Sequence, residues 1–124
     1  MELEESLKKR LLELGRRLLD QDAARTLIEP LGNSSGFWFG GGNICLQEEG
    51  NILVSGRFRN EGDARTGTGA GARGLECAVF SASSPSDDFQ KVLSFSKEEL
   101  SHTEEVVSIE GVSLIAGSTS KSAF

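Results

Sequence analysis

Glycine is concentrated in one part of this 124-residue chain, and its distribution divides the sequence into two regions. Eleven of the 15 glycines lie between residues 36 and 74. Glycine disfavours helices and suits tight turns and close backbone approach. Apolar residues in this region and after it follow short, strand-like spacings, whereas the first 30 residues carry a regular leucine pattern. A helix followed by a sheet is therefore expected.

Residues 2–28 are predicted to form one amphipathic helix that Pro30 ends. Leucines that are three or four residues apart share one face: Leu3, Leu7, Leu11, Leu14 and Leu18. Acidic residues precede basic ones by four positions, as in Glu4 and Lys8, which adds helix stability. Such a stripe is either a packing surface within the chain or an interface for association.

Four strands are predicted in the central region, at 43–47, 52–58, 75–82 and 89–95, with a turn at 49–51. Ser96 and Glu99 match a capping box that opens a short helix. Residues 106–109 and 112–116 are further strand candidates. The chain is expected to be mainly β with an N-terminal α-helix.

This pattern predicts three parts. Residues 1–30 form the helix, residues 37–95 a four-stranded antiparallel meander resembling a propeller blade, and residues 96–124 a helical turn with part of a second blade and a frayed tail. A blade needs neighbours to cover its faces. An incomplete propeller is therefore predicted.

The net charge of −6 argues against nucleic-acid partners. No apolar run spans a bilayer and no signal peptide is visible, so we expect no membrane partner and a cytoplasmic location. Cys45 and Cys77 are favoured as free thiols, although one bridge stays open. One histidine and two cysteines do not make a structural zinc site, and no cofactor is expected.

Two motif matches lack the structural context that their chemistry needs. Residues 69–74 match G-x-G-x-x-G but precede a predicted strand, not the helix that receives a pyrophosphate. Residues 32–36 match G-x-S-x-G but follow a helix and precede aromatic residues, so a nucleophile elbow is not indicated.

Residues 56–76, which include the connection between two predicted strands, hold the densest group of charged residues. The arginines of this segment suit carboxylates and planar polar ligands, and its acids suit sugar hydroxyls or acid–base chemistry. The same charges are also suited to pair with each other and hold the loop in place. Phe37 and Phe39 are predicted to be core residues, and Trp38 either a core residue or a stacking surface for a sugar.

These residues carry a resemblance. The series at 38–43, 50–59, 62–67 and 73–76 resembles the first blade of sialidase-like and five-bladed glycosidase-like β-propellers. Residues 81–93 are similar to a degenerate Asp-box turn, and residues 108–111 to the inner strand that opens the next blade. The resemblance covers about residues 37–116.

The resemblance implies a carbohydrate site at the propeller axis. It implies catalytic carboxylates at Asp63, Glu76 and Glu110. It implies substrate-binding residues at Trp38, Asn43, Arg57, Arg59, Arg65 and Arg73. Glycoside hydrolysis needs two carboxyl groups about 5–10 Å apart, and the Asp-Pro element of several such glycosidases is absent.

We therefore expect a fragment or short form of such a propeller that is carbohydrate-directed and has little or no independent catalysis. If active, it is a glycoside hydrolase that requires the missing blades. The alternative is a non-catalytic interaction module, or an α+β domain that self-associates through its helix or its sheet edges.

Overall fold

The computed structural model describes residues 4–60 and 74–115. Its elements, in chain order, are α1 (Glu5–Leu18), β1 (Trp38–Gly40), β2 (Ile44–Leu46), β3 (Ile52–Arg59), β4 (Glu76–Ala82), β5 (Gln90–Ser96) and α2 (Lys97–Leu100). The expected fold class, mainly β with an N-terminal helix, is confirmed. All strands belong to one antiparallel sheet.

Helix α1 is shorter than the sequence predicts, because it ends at Leu18 and not near Pro30. The Asp20 carboxylate accepts hydrogen bonds from the backbone N–H groups of Asp22 and Ala23, at 3.1 and 3.3 Å. This local turn competes with helix propagation. No residue of α1 is buried, and within the described part of the chain no helix has the length and apolarity to cross a membrane.

The sheet confirms the predicted meander and adds a strand. The segments predicted at 43–47, 52–58, 75–82 and 89–95 correspond to β2, β3, β4 and β5, each paired with the next. The additional strand, β1, pairs with the C-terminal half of β3, while β2 pairs with its N-terminal half. Both therefore lie on the same side of β3.

A bulge separates β1 from β2. Gly40 pairs with Arg57, whereas Asn43 accepts a hydrogen bond from the Ser55 backbone N–H at 2.9 Å. Gly41 and Gly42 therefore oppose the single residue Gly56, and Gly41 has φ +73°. These two glycines shift the register between β1 and β2, so that both strands pair with β3 along the same side.

One face of the sheet, here called the aromatic face, contains the tightest apolar cluster. Phe39, Phe58 and Phe80 meet with ring centroids 4.9–6.2 Å apart. Ile28, from the segment after α1, packs against this cluster. Arg25 holds that segment in place by donating to the carbonyl oxygens of Pro85 and Asp87 in the β4–β5 loop.

Residues 108–114, here called the strap, cover part of the opposite face. The predicted strands at 106–109 and 112–116 were wrong for the described residues, which carry no strand there; Ala116 lies outside them. The Ile109 N–H donates to the Gly74 carbonyl and the Val112 N–H to the Gly41 carbonyl, at 3.0 and 3.1 Å. These isolated bonds replace the regular ladder that a strand would form.

Helix α2 begins as the sequence predicts. The Ser96 hydroxyl accepts a hydrogen bond from the Glu99 N–H, and the Glu99 carboxylate accepts one from the Ser96 N–H. This capping box satisfies two backbone donors at once. The helix that follows leads the chain from β5 towards the strap.

Candidate functional site

Arg57 is the central residue of the second face of the sheet, here called the polar face. It alternates with Phe58 on β3, so the two side chains point to opposite faces. Arg57 is only 8% exposed. Its Nε donates to the Glu110 carbonyl at 3.0 Å, and its Nη2 lies 3.3 Å from Glu110 Oε2. A buried cation requires such partners, and this one holds the strap against the sheet.

Asn43 and Ser55 form a second set of bonds to the strap. Asn43 Nδ2 donates to the Leu114 carbonyl at 2.9 Å, and Asn43 Oδ1 accepts from the Leu114 N–H at 2.8 Å. The Ser55 hydroxyl lies 2.9 Å from Asn43 Oδ1 and 3.3 Å from the Val112 carbonyl oxygen. The side-chain amide of Asn43 therefore pairs with both backbone polar groups of Leu114, as the backbone of a neighbouring strand would.

Trp38 lies beside two arginines at the edge of the polar face. It pairs with Arg59 across β1 and β3. The guanidinium carbons of Arg59 and Arg57 lie 5.4 and 5.9 Å from its ring centroid, within cation–π range. Gly40 is necessary here, because a Cβ at that position would overlap the ring. Trp38 is 37% exposed, so part of the residue is accessible to solvent.

Glu76 lies on the aromatic face, away from Glu110. Its carboxylate is 2.7 Å from Lys91 Nζ, and the same ammonium group lies 5.2 Å from the Phe58 ring centroid. Since Phe58 and Arg57 point to opposite faces, Glu76 and Glu110 are on opposite sides of the sheet. The described residues do not bring these two candidate carboxylates together across one bond.

Three predicted site residues, Asp63, Arg65 and Arg73, lie outside the described residues. Of the other six, the structure brings five into one region: Trp38, Asn43, Arg57, Arg59 and Glu110. Asn43 and Arg57 direct their donors to the strap. Glu110 and Trp38 are the most exposed of the five, at 58% and 37%. The Arg59 Nε is a buried donor with no hydrogen-bond partner among the described residues.

Ser55 is a site residue that the sequence analysis missed. It is 2% exposed and joins Asn43 to the strap. A serine within the apolar run at 52–54 and 58 is a usable signal, because a hydroxyl in a buried strand needs a partner. The partner itself is 57 residues away, at Val112, and has no local signal.

Cys45 and Cys77 are free thiols. Cys45 pairs with Leu53 on one side of β3, and Cys77 pairs with Arg57 on the other. Four residues along a strand span about 13 Å, and a disulfide requires Cα atoms within about 7 Å. The geometry therefore separates the two thiols.

Chemically, this edge offers an aromatic surface, an arginine beside it and a carboxylate held by a second arginine. It has the elements for stacking against a flat ligand and for donating hydrogen bonds to hydroxyl or anionic oxygens. No family model, curated protein or solved structure matches the chain.

Proposed function

We propose that this chain forms a blade-like unit of a glycosidase-like β-propeller and binds carbohydrate at the β1–β3 edge. The meander of β2, β3, β4 and β5 supports the architectural part of the proposal, because four consecutive antiparallel strands are the unit of a propeller blade.

The polar face supports the idea of a missing neighbour. Leu93 and Phe95 of β5 are 48% and 41% exposed beside the strap. Apolar residues grouped on a sheet face are normally covered by another layer. In a propeller, the next blade supplies that layer, and the strap runs beside β1 and β2 where its inner strand would begin.

The observation that carries the carbohydrate assignment is the convergence of three distant segments at one edge. Residues 38, 57–59 and 110 place the Trp38 ring beside Arg59 and the Arg57–Glu110 pair. An aromatic face stacks on the apolar face of a sugar, and arginine donates to its hydroxyl groups. The proposed contacts are therefore Trp38 and Arg59, with Arg57 and Asn43 positioning the edge.

The proposal assigns binding but no independent turnover to this chain. Glu110 is 58% exposed at the site, where Arg57 and Ser108 contact its carboxylate, while Glu76 lies on the other face with Lys91. A glycosidase needs a second carboxyl group at a defined distance from the first. In the proposed assembly, another part of the propeller supplies it.

A cytoplasmic location forms part of the proposal. The two free thiols support it, since reducing compartments preserve thiols.

Intrinsic fluorescence tests the carbohydrate proposal directly, because Trp38 is the only tryptophan in the chain. The full chain is titrated with a panel of neutral and carboxylated mono- and oligosaccharides. A saturable change in emission is expected, with at least about tenfold weaker binding for Arg59→Ala. Arg16→Ala, on exposed α1, is the matched control. Unchanged emission with every sugar would overturn the proposal.

Self-association is a second candidate function, and β5 favours it. This strand is at the sheet edge, and Val92, Leu93 and Phe95 are between 41% and 57% exposed. An open edge with apolar side chains is suited to pair with another strand. Light scattering decides between the candidates: a discrete dimer that Val92→Lys dissociates supports self-association, and a monomer that still binds sugar excludes it.

A further inference from the structure

Helix α1 presents an apolar stripe that no part of the described chain covers. Leu7, Leu11, Leu14 and Leu18 follow one another at steps of four, three and four residues and are 38–74% exposed. This spacing is the seam along which one helix packs against another. The stripe consists of four leucines, and it is independent of the carbohydrate edge.

Basic side chains border this stripe. In helical geometry, Lys8 lies along one border, and Arg10 and Arg17 along the other. Glu13 lies on the polar side, 3.9 Å from Arg16. Residues 4–19 contain five basic and three acidic side chains, a net charge of +2, in a chain whose net charge is −6. The segment that carries the leucines is therefore positively charged within an acidic chain, and three of its five basic residues border the stripe.

The charges beside the stripe distinguish among three candidate occupants: a second copy of the chain, a bilayer surface and a different protein. A second copy in antiparallel orientation would bring the arginine borders of the two helices together, which is repulsive. A bilayer surface suits a wide apolar face with aromatic residues. Leu12 and Leu19, 62% and 77% exposed, lie beyond Lys8 and widen the apolar surface, but α1 contains no aromatic residue to anchor it in a bilayer. An acidic border on a protein partner complements the basic one.

We propose that α1 docks through Leu7, Leu11, Leu14 and Leu18 onto a leucine-lined helix or groove of another protein, with acidic residues along the rim of that surface. This interaction goes beyond the carbohydrate function. The leucines supply the buried area, and Lys8, Arg10 and Arg17 select the sign of the partner's charge.

Two labelled synthetic helices test the proposal against the full chain. Both carry leucine at the heptad a and d positions; one carries glutamate at e and g, and the other lysine. Fluorescence anisotropy should show at least about tenfold tighter binding of the glutamate peptide at about 50 mM salt, with the difference shrinking at about 500 mM. Arg10→Glu combined with Arg17→Glu should reverse the preference, and Leu11→Asp with Leu14→Asp should abolish binding.

Trp38 emission verifies that each variant keeps its sheet, and Ser6→Ala is the matched control on the polar side of α1. Equal binding of the two peptides would overturn the proposal, as would no binding of either. Light scattering that shows self-association through α1, or sedimentation with phosphatidylserine vesicles but no peptide binding, would also overturn it in favour of those occupants. None of these results depends on whether the chain binds sugar.

Discussion

The two faces of the sheet are held by different forces. On the aromatic face, Phe39, Phe58 and Phe80 pack edge to face or tilted, and Ile28 closes over them. The polar face instead uses directional hydrogen bonds, from Arg57 and Asn43, to the backbone of the strap. A single strand, β3, supplies side chains to both.

The aromatic face therefore contributes mainly to stability, and the polar face mainly fixes the position of the strap. Apolar burial stabilises in proportion to the area removed from water and tolerates small shifts. Buried hydrogen bonds contribute little net free energy but are costly to leave unmade, so they specify where the strap lies. Neither face is fully packed: a cavity of about 110 Å³ remains on the polar face among β4, β5, Val112 and Leu114, and one of about 340 Å³ lies beside Ile28 and Phe39 on the aromatic face.

The largest expected effect comes from removing the centre of the aromatic face. Phe58 is 3% exposed, and Phe58→Ala should lower the free energy of unfolding by about 3–5 kcal/mol. Urea denaturation followed by circular dichroism measures this. Phe95→Ala, at an exposed position, is the control and should cost much less. Similar losses for the two variants would contradict the contrast between the faces.

The bulge between β1 and β2 provides the next test. A Cβ at Gly42 would overlap the carbonyl group of Ser55. Gly42→Ala should destabilise the chain by about 1–3 kcal/mol and weaken the bond from the Ser55 N–H to Asn43. Hydrogen exchange at Ser55 reports that bond. Gly15→Ala, where a Cβ meets no atom within 4 Å, should leave Ser55 exchange unchanged.

The sequence predicted those elements that residues close together in the chain determine. Short, strand-like spacing of apolar residues identified the cores of β3 and β4, and the Ser96–Glu99 spacing identified the start of α2. The end of α1 was missed because the Asp20 side chain, and not Pro30, turns the chain. Strand β1 was missed because three residues before a glycine run show no periodicity, and its pairing depends on the approach of β3.

The site was less predictable because its geometry depends on register. Trp38 and Arg59 became neighbours only through the pairing of β1 with β3, 21 positions apart in sequence. Glu76 was grouped with Glu110 because the resemblance to glycosidase-like propellers implied both as catalytic carboxylates. The side of the sheet on which each lies depends on strand register, which the length and sequence of the intervening loop do not reveal.

A smaller effect is expected on the polar face, where one side chain can be removed without opening a large cavity. Asn43→Ala loses both bonds to Leu114 and should cost about 1–3 kcal/mol, with faster hydrogen exchange of the Leu114 amide. Asn43→Asp keeps an acceptor for that N–H and loses the donor to the carbonyl. If the Leu114 amide stays protected in the aspartate variant but not in the alanine variant, the bond from the Leu114 N–H to the side-chain oxygen is the essential one. Equal loss of protection in both variants would show that the bond from Asn43 Nδ2 to the Leu114 carbonyl is essential.

The smallest expected effect is the pH dependence of the capping box. Hydrogen bonds from Ser96, first from its backbone and then from its side chain, lower the pKa of Glu99 below its ordinary value of 4.5. A carboxyl group with a lowered folded pKa stabilises the folded state above its unfolded pKa, and this contribution disappears as pH falls through the folded pKa. Helix α2 should therefore be capped at pH 7 and lose the charged part of its cap under acid conditions.

Carboxyl-detected NMR of Glu99 between pH 2 and pH 7 measures this titration. Ser96→Ala removes the hydroxyl but keeps the backbone donor, so the pKa of Glu99 should rise towards its ordinary value without reaching it. Glu99→Gln keeps an acceptor without the charge, and its stability difference from the parent chain should vanish at the acid end. Since α2 leads into the strap, acid-dependent exchange at Ile109 as well as at Ser96 would show that the cap also supports the polar face, whereas a change confined to Ser96 would limit it to the helix.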